Sequence, residues 1–264
     1  MQVYIKDKKA LAYFHKEANP QFWDEHWQMD SLRDHILSST SGGIFFSVVK
    51  KYLPVGSTVL EGGCGRAHLV HALDYQGYKA IGVDFARETV RKINEAVPGL
   101  DVRFGDVRNL PIENSELDGY LSLGVIEHYW EGYRGILAEM RRTIKNGGFL
   151  FISFPQISAL RQLKVKTRIY SVSSSQQLED HSGNFYQFAF NWRQVSQDLQ
   201  TFGFRLIERW PFDGIKGLKD EVTFLKPLLQ PIYDGKRHQR LKIYLDKILR
   251  KFTSHCHLLV MQKI

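Results

Sequence analysis

In the middle third of the chain, short continuous apolar runs alternate with segments whose apolar residues recur at the three- and four-residue spacing of a helix. Residues 57–61 and 80–84 are typical of strands, and residues 68–76 between them have the spacing of a helix. The same alternation predicts further strands and helices: strands at 102–105, 117–124, 149–154, 204–210 and 257–262, and helices at 87–96, 133–144 and 192–200. Strands that alternate with helices are typical of βαβ units, so the pattern predicts an α/β fold with a parallel sheet.

Three segments fall outside this alternation. The first fifty residues are rich in aromatic side chains and are predicted to form helices that cover the ligand edge of the sheet. Two inserts, at about 156–190 and 213–254, interrupt the later strand and helix units. We therefore expect an N-terminal helical cap over residues 1–50 and one α/β domain over residues 51–264 that contains both inserts.

The second insert contains an amphipathic segment, residues 236–252. Its apolar residues recur at three- and four-residue spacing, with lysines and arginines around them; they are Leu241, Tyr244, Leu245, Ile248, Leu249 and Phe252. Residues 214–264 hold eleven Lys+Arg against four Asp+Glu, so most of the formal charge of +8 lies there. Such a helix either packs on its own domain or makes peripheral contact with an anionic membrane, and the sequence leaves both open.

The composition is that of a globular protein. Of 264 residues, 43% are hydrophobic and 24% are charged, which excludes global disorder. No run of 18 apolar residues occurs, and the first ten residues lack the apolar run of a signal peptide. The two cysteines, Cys64 and Cys256, are too few for a disulfide framework or a Cys-rich zinc site. We expect a cytoplasmic protein without a metal site, and nucleic acid is an unlikely partner because no RNA-binding module is visible.

Acidic residues stand at the ends of the first three predicted strands of the α/β pattern. Glu61 closes the first, Asp84 closes the second and Asp106 follows the third. Ligands bind beyond the carboxyl ends of strands in an open parallel sheet. The loop after Glu61 is rich in glycine, which lets a backbone approach a ligand closely. Asp84 follows Gly63 by 21 residues, a distance at which a carboxylate can accept hydrogen bonds from ribose hydroxyls.

These residues resemble the motifs of a known family. Residues 59–67 (Val-Leu-Glu-Gly-Gly-Cys-Gly-Arg-Ala) are similar to motif I of class I S-adenosylmethionine-dependent methyltransferases, Asp/Glu-x-Gly-x-Gly-x-Gly, with Ala67 in place of the third glycine. Later segments resemble the family's other motifs. Gly82-Val-Asp84 is similar to motif II, Gly105-Asp-Val107 to motif III, Leu123-Gly-Val-Ile-Glu-His128 to the strand-four motif and Asn146-Gly-Gly148 to the turn before strand five. The resemblance is close over about residues 55–155. It implies a Rossmann-like fold, with a seven-stranded, mostly parallel sheet flanked by helices and an antiparallel last strand.

The resemblance also implies a site for S-adenosyl-L-methionine, whose product is S-adenosyl-L-homocysteine. The cofactor-binding residues that it implies are Glu61, Gly62, Gly63, Gly65, Asp84, Phe85, Asp106, Val107, Leu123 and Gly124. In that site Glu61 and the glycines would contact the methionine portion. Asp84 would bind the ribose and Asp106 the adenine amino group.

His128 and Tyr186 are the candidate catalytic residues. His128 follows the fourth strand of the pattern, and an imidazole pKa near ~6.5 suits proton removal near neutrality. The alternative for His128 is a structural hydrogen bond to a backbone carbonyl. Tyr186 lies in the first insert, where members of this family often carry a substrate lid, and its alternative role is core packing.

The predicted function is methyl transfer by in-line displacement to a small-molecule, lipid-linked or sugar-type acceptor. A general base is needed only if the acceptor starts protonated. Two alternatives remain: a catalytically silent cofactor-binding protein, and an NAD-linked oxidoreductase, whose fingerprint would need glycine where His68 stands. No obligate protein partner is expected.

Overall fold

Strands and helices alternate through most of the computed structural model, which describes residues 1–27, 31–41, 43–235 and 239–264. The strands are β1 (Gln2–Ile5), β2 (Ala10–Phe14), β3 (Thr58–Gly62), β4 (Lys79–Asp84), β5 (Val102–Phe104), β6 (Leu117–Leu123), β7 (Ile144–Pro155), β8 (Ser171–Ser173), β9 (Phe185–Ala189), β10 (Phe204–Phe212) and β11 (Cys256–Lys263). The helices are α1 (Pro20–His26), α2 (Leu32–Leu37), α3 (Gly43–Tyr52), α4 (His68–Tyr75), α5 (Arg87–Ala96), α6 (Arg134–Thr143), α7 (Ala159–Lys166), α8 (Trp192–Thr201), α9 (Gly214–Glu221), α10 (Lys226–Asp234) and α11 (Gln239–Thr253).

Seven of these strands form the central sheet, in the order β10-β11-β7-β6-β3-β4-β5. The strands from β3 to β7 pair in parallel, and β11 is antiparallel to both β7 and β10. The predicted seven-stranded sheet with an antiparallel last strand is therefore confirmed. The strand order reverses between β3 and β6, and the crevice at such a switch point, beyond the carboxyl ends of the strands, is where ligands bind in α/β sheets.

Both faces of the central sheet are covered. Val59 and Leu60 of β3 are buried although they point to opposite faces, and Tyr120 and Leu121 of β6 are buried in the same way. Continuous apolar runs of this kind are typical of parallel strands with helices on both sides. Burial on both faces is therefore the reason that short continuous apolar runs in the sequence predict the strands next to the crevice.

A second, smaller sheet was not predicted. Its order is β8-β1-β2-β9, so it joins the N-terminal hairpin to two strands of the first insert. The expected helical cap over residues 1–50 is therefore wrong over residues 2–14, and helices begin only at α1. The reason is a period of two: Val3 and Ile5 are buried on one side of β1, which is the pattern of a strand. Lys9, with φ of 48°, lies in the turn that leads into β2.

The second insert folds into α9, α10 and α11 between β10 and β11. The amphipathic helix predicted from Lys236 is observed from Gln239, and residues 236–238 lie outside the described residues. Because β10 is parallel to β3 and β11 runs the opposite way, the insert leaves and rejoins the sheet at the carboxyl edge. Across the described ranges, no helix has the length and apolar character needed to cross a bilayer.

Candidate active site

A cavity of about 690 Å³ lies at the carboxyl ends of β3, β4 and β6. Its volume is within the range of ~300–1,000 Å³ that is typical of ligand pockets. Nine of the twelve predicted site residues line it, namely Glu61, Gly63, Gly65, Asp84, Phe85, Val107, Leu123, Gly124 and His128. The structure therefore brings most of the predicted residues to one place, and only Gly62, Asp106 and Tyr186 lie outside the lining that the described residues define.

The glycine loop after β3 requires glycine at Gly63. This residue has φ of 75°, and a Cβ there would lie 2.6 Å from a methyl group of Val125. The loop is held on β4, because the N–H groups of Gly63 and Cys64 both donate to the carbonyl of Val83, at 2.7 and 3.1 Å. Ala67, the departure from the family motif, also adopts a left-handed conformation, with φ of 57°. Alanine thus keeps the backbone shape of a glycine there, at a cost of ~1–2 kcal/mol.

Asp84 joins the loop to the end of β4. Its Oδ2 accepts from the backbone N–H of Gly65 at 2.8 Å, and its Oδ1 accepts from that of Ala86 at 2.9 Å. Burial raises the pKa of Asp84, and these backbone donors act against that rise. A carboxylate has about four lone-pair sites, so Asp84 keeps capacity to accept from further donors in the cavity.

Glu61 is a buried acid in the wall of the cavity. Its Oε2 has no hydrogen-bond partner within the described part of the chain. Burial, and then the negative charge of Asp84, raise the pKa of Glu61 to about 8. An unpartnered buried carboxyl oxygen is costly unless a ligand supplies a donor or a cation. The group is therefore suited to a ligand that carries an ammonium or hydroxyl group.

Two of the predicted cofactor residues have other contacts in this structure. Asp106 forms an ion pair with Arg108 at 2.6 Å and also accepts from the backbone N–H of that residue at 2.8 Å. A Cβ on Gly62 would overlap the hydroxyl of Tyr120, so the absence of a side chain there serves packing under the loop. Cofactor contacts of Gly62 and Asp106 stay predictions.

An aromatic wall formed by α1 closes the other side of the cavity. Asp24 of α1 accepts from the backbone N–H and the hydroxyl of Thr89 in α5, at 2.8 and 2.9 Å. This contact holds Trp23 and Trp27 over the crevice, where their rings stack at 5.5 Å. The guanidinium of Arg66 lies 5.2 Å from the Trp27 ring. The sequence predicts that the aromatic N-terminal residues cover the ligand edge, but not the contact that holds them there, because α1 and α5 are distant along the chain.

His128 is held in one orientation. Its Nδ1 lies 2.7 Å from the backbone carbonyl oxygen of Tyr186. A carbonyl can only accept, so Nδ1 carries the proton and the lone pair is on Nε2. Burial lowers the pKa of His128 to about 4, although the hydrogen bond to Tyr186 acts in the opposite direction. The ring is therefore neutral at pH 7, and it lies 5.0 Å from the ring of Trp23.

Tyr186 serves His128 through its backbone and its ring. Besides the carbonyl contact, the Tyr186 and His128 rings lie 5.2 Å apart at an angle of 66°. Because Tyr186 is outside the cavity lining, the structure supports a positioning role for it, and the predicted catalytic role stays a prediction.

Glu127 is a further residue near the site that was not among the predicted site residues. It is 2% exposed, and its Oε2 has no hydrogen-bond partner among the described residues. Its other oxygen lies beside Gly124 of the cavity, 3.6 Å from where a Cβ would be. Burial raises the pKa of Glu127 to about 8. The signal in the sequence was its place in the motif after β6, next to His128.

The comparisons with known proteins agree with this geometry. Residues 60–152 match the model of a family described as "Methyltransferase domain". A probable S-adenosylmethionine-dependent methyltransferase of Mycolicibacterium smegmatis is 30% identical over 100 residues, which is 38% of this chain and 38% of that protein. A phthiotriol/phenolphthiotriol dimycocerosates methyltransferase of Mycobacterium tuberculosis is 31% identical over 98 residues, 36% of each chain. The match thus spans well under half the length of these curated relatives.

Solved structures share the fold over nearly the whole chain. A chain of the complex between the Haloferax volcanii Trm112 methyltransferase activator and the putative methyltransferase has a TM-score of 0.57 at 15% identity, and the match covers 91% of this chain and 96% of that one. A TehB-like SAM-dependent methyltransferase from Corynebacterium glutamicum has a TM-score of 0.53 at 15% identity, with 93% and 100% covered. Identities this low show the fold alone. Together with the family match, they show that the chain carries a region similar to the methyltransferase domain family at residues 60–152 and has the Rossmann-like fold of these solved methyltransferases.

Proposed function

We propose that this protein transfers a methyl group from S-adenosyl-L-methionine to a small-molecule, lipid-linked or sugar-type acceptor. The observation that carries the proposal is the convergence of Glu61, Asp84 and His128 on one cavity. The two acids lie beside the glycine loop, and His128 follows β6. When bound, the cofactor supplies an electrophilic methyl group, and the protein supplies binding, orientation and exclusion of water.

The residues of the cavity fit this cofactor. The unpartnered Oε2 of Glu61 is suited to the ammonium group of the methionine portion, and Asp84 has lone pairs left for the ribose hydroxyls. Gly63 presents backbone without a side chain. Phe85 and Val107 provide apolar surface for the adenine ring.

The chain's own residues also suit proton removal from an acceptor. His128 is neutral and oriented by the Tyr186 carbonyl, so its Nε2 lone pair can accept a hydrogen bond from an acceptor hydroxyl and take its proton, although the lowered pKa of His128 makes it a weaker base than an ordinary imidazole. Trp23 and Tyr129 line the same cavity, where they would limit access of water once the ligands are bound. Exclusion of water matters because water would compete with the acceptor.

A lipid-linked acceptor has support from one relative. The mycobacterial relative that is 31% identical over 98 residues is named for phthiotriol and phenolphthiotriol dimycocerosates, which are lipids. The aromatic wall of α1 would accommodate such an apolar acceptor. A sugar-type or other small-molecule acceptor is the alternative within the same proposal.

Calorimetry with S-adenosylhomocysteine and with NADH tests the cofactor. We expect binding of S-adenosylhomocysteine and none of NADH, and a preference for NADH would contradict the proposal. Transfer of labelled methyl groups to lipid and polar fractions of a cell extract then tests the acceptor. Binding of S-adenosylhomocysteine without transfer to any fraction would favour the catalytically silent alternative.

A further inference from the structure

We propose that one face of α11 rests on an anionic lipid bilayer, which places the carboxyl edge of the central sheet beside that bilayer. The binding surface does not depend on the enzyme activity. Its consequence for the acceptor, delivery of a lipid-linked molecule from the bilayer, rests on the proposed function.

The face is apolar and exposed. It consists of Leu241, Tyr244, Ile248 and Phe252, which share one side of the helix because they recur at three- and four-residue spacing. Their exposed fractions are 42%, 62%, 49% and 66%, respectively. A helix that packs its apolar stripe on its own domain hides that stripe. Packing of the apolar stripe on its own domain, one of the two interpretations that the sequence leaves open, therefore does not apply to these four residues.

A different side of α11 is attached to the domain. The backbones of α9 and α11 touch, since a Cβ on Gly217 would overlap the carbonyl oxygen of Thr253. Thr253 Oγ1 donates to the carbonyl of Gly214 at 2.8 Å, and Asp246 accepts from the backbone N–H of Ile215 at 3.2 Å. These contacts fix the orientation of the helix. The four apolar side chains consequently remain outside the domain contact.

Basic residues run alongside the apolar face. Arg240, Lys247 and Lys251 are exposed and precede Leu241, Ile248 and Phe252 by one position, which is about 100° around a helix. Residues 214–264 carry eleven Lys+Arg and only four Asp+Glu. Apolar side chains beside a row of cations are suited to an anionic bilayer surface. The apolar side chains enter the boundary of the acyl chains, and the cations contact the lipid phosphates. A second copy of the chain would instead place like charges together, so charge favours the bilayer as the occupant.

The location of α11 relates this surface to the site. The insert that contains α11 leaves the sheet after β10 and rejoins it at β11, and both points are at the carboxyl edge. The cavity opens at the carboxyl ends of β3, β4 and β6, along the same edge. A bilayer under α11 would therefore lie along the same edge of the sheet as the cavity.

Vesicle flotation of the full chain tests the surface. We expect the protein to float with vesicles of one part phosphatidylglycerol to two parts phosphatidylcholine, and much less with phosphatidylcholine alone. The double variant Lys247→Gln/Lys251→Gln should lose roughly fivefold in affinity per lysine. The double variant Ile248→Ser/Phe252→Ser should lose about tenfold or more, because apolar area no longer enters the interface. The matched control is Val55→Ser/Tyr75→Ser, which removes side chains that are 63% and 65% exposed near the opposite edge and should bind like the wild type.

Three results would overturn the proposal. They are equal flotation with and without anionic lipid, an equal loss in the control variant, and a stable dimer that Ile248→Ser/Phe252→Ser converts to monomer. Calorimetry with S-adenosylhomocysteine on the same proteins separates this proposal from the enzyme activity. Vesicle binding without S-adenosylhomocysteine binding would reject the proposed function and keep the surface, and the reverse result would reject the surface alone.

Discussion

The carboxylate of Asp84, at the end of β4, accepts a hydrogen bond of 2.8 Å from the backbone N–H of Gly65 in the loop after β3. The protein's own hydrogen bond therefore holds the loop in this shape. Preorganisation of this kind reduces the ordering cost of binding. Asp84, which is expected to bind the ribose, therefore also holds the backbone of the loop that is expected to face the methionine portion.

Asp84→Asn should weaken binding of S-adenosylhomocysteine by roughly 1–3 kcal/mol, because the amide lacks the charge and one acceptor. Isothermal titration calorimetry measures the change. Asp118→Asn is the matched control, since Asp118 also accepts from a backbone N–H, that of Thr58 at 2.8 Å, but at the opposite edge of the sheet. An unchanged dissociation constant for Asp84→Asn, or an equal loss in the control, would show that Asp84 is misassigned.

Binding of S-adenosylhomocysteine at pH 7 should release up to about one proton. Burial and Asp84 raise the pKa of Glu61 to about 8, so the empty site holds this carboxyl mostly protonated. An ammonium group placed beside Glu61 favours the ionised form, and the proton leaves. For the same reason affinity should rise as the pH increases from 6 to 8.

The proton release is measured by calorimetry in two buffers of different ionisation enthalpy. Glu61→Gln provides the control, because it cannot release this proton and should bind more weakly with the same heat in both buffers. If the wild type also gives the same heat in both buffers, Glu61 does not meet the ammonium group.

Gly63→Ala should destabilise the fold by more than the strain of its backbone alone. An alanine at positive φ costs ~1–2 kcal/mol, and contact with Val125 should add ~1–3 kcal/mol of overpacking. Gly56→Ala isolates the first term, since Gly56 has φ of 89° and nothing lies within 4 Å of its Cβ position. Urea denaturation measures both free energies of unfolding. The excess cost in Gly63→Ala should fall when Val125→Ala is added, and an unchanged excess would contradict the steric explanation.

Local pattern predicts the central sheet well, and distant pairing explains what it misses. The helix predicted at 87–96 is observed as α5 with the same bounds, because spacing and turn residues specify it locally. β1 pairs with β8, whose residues are about 170 positions away, and both strands are too short to give a strong signal alone. The same holds in the site: the strand-end acids were predictable from sequence, whereas the contact of His128 with the Tyr186 carbonyl depends on packing of the first insert. For α11, the spacing of the apolar residues shows which of them share one face of the helix, but it does not show whether that face packs on the domain or is exposed.

His128→Asn should lower the rate of transfer to a hydroxyl acceptor by about 10²–10⁴-fold, with little change in S-adenosylhomocysteine affinity. Its effect on stability has a defined sign. The native pKa is about 4 against an ordinary value of 6.5, so between these pH values the unfolded chain binds more protons than the native one. The stability that neutral His128 contributes is present above pH 6.5 and falls as the pH drops to 4, by at most ~3 kcal/mol.

Urea denaturation at pH 7 and pH 5 measures this dependence. In His128→Asn the loss of stability on acidification should be smaller than in the wild type. His15→Asn is the control, because His15 contacts the Tyr186 ring but does not line the cavity. An equal acid dependence in wild type and His128→Asn would mean that the His128 imidazole is not held neutral.

A buried ion pair between Arg161 and Glu221 joins the two inserts. The side chains are 1% and 2% exposed, and Nε lies 2.7 Å from Oε1. Lys164 also reaches Glu221 at 2.8 Å, and Tyr170 donates to it. Although burial acts to raise the pKa of Glu221, Arg161 and Lys164 hold it below its ordinary value. The pair connects α7 to α9, and α9 in turn carries α11.

Removing one partner of the Arg161–Glu221 pair should therefore lower the free energy of unfolding far more than removing a surface ion pair. Arg161→Met leaves a buried carboxylate with less compensation and should lower the free energy of unfolding by ~3–5 kcal/mol. In contrast, Arg91→Met breaks exposed pairs with Glu88 and Glu95 and should lower the free energy of unfolding far less, because solvent screens exposed charges. The double variant Arg161→Met/Glu221→Leu should lose less than the sum of its single variants, because neither charge is then left alone. Additive losses in urea denaturation would show that the two residues act separately, and the inserts would then be joined by apolar packing instead of by this pair.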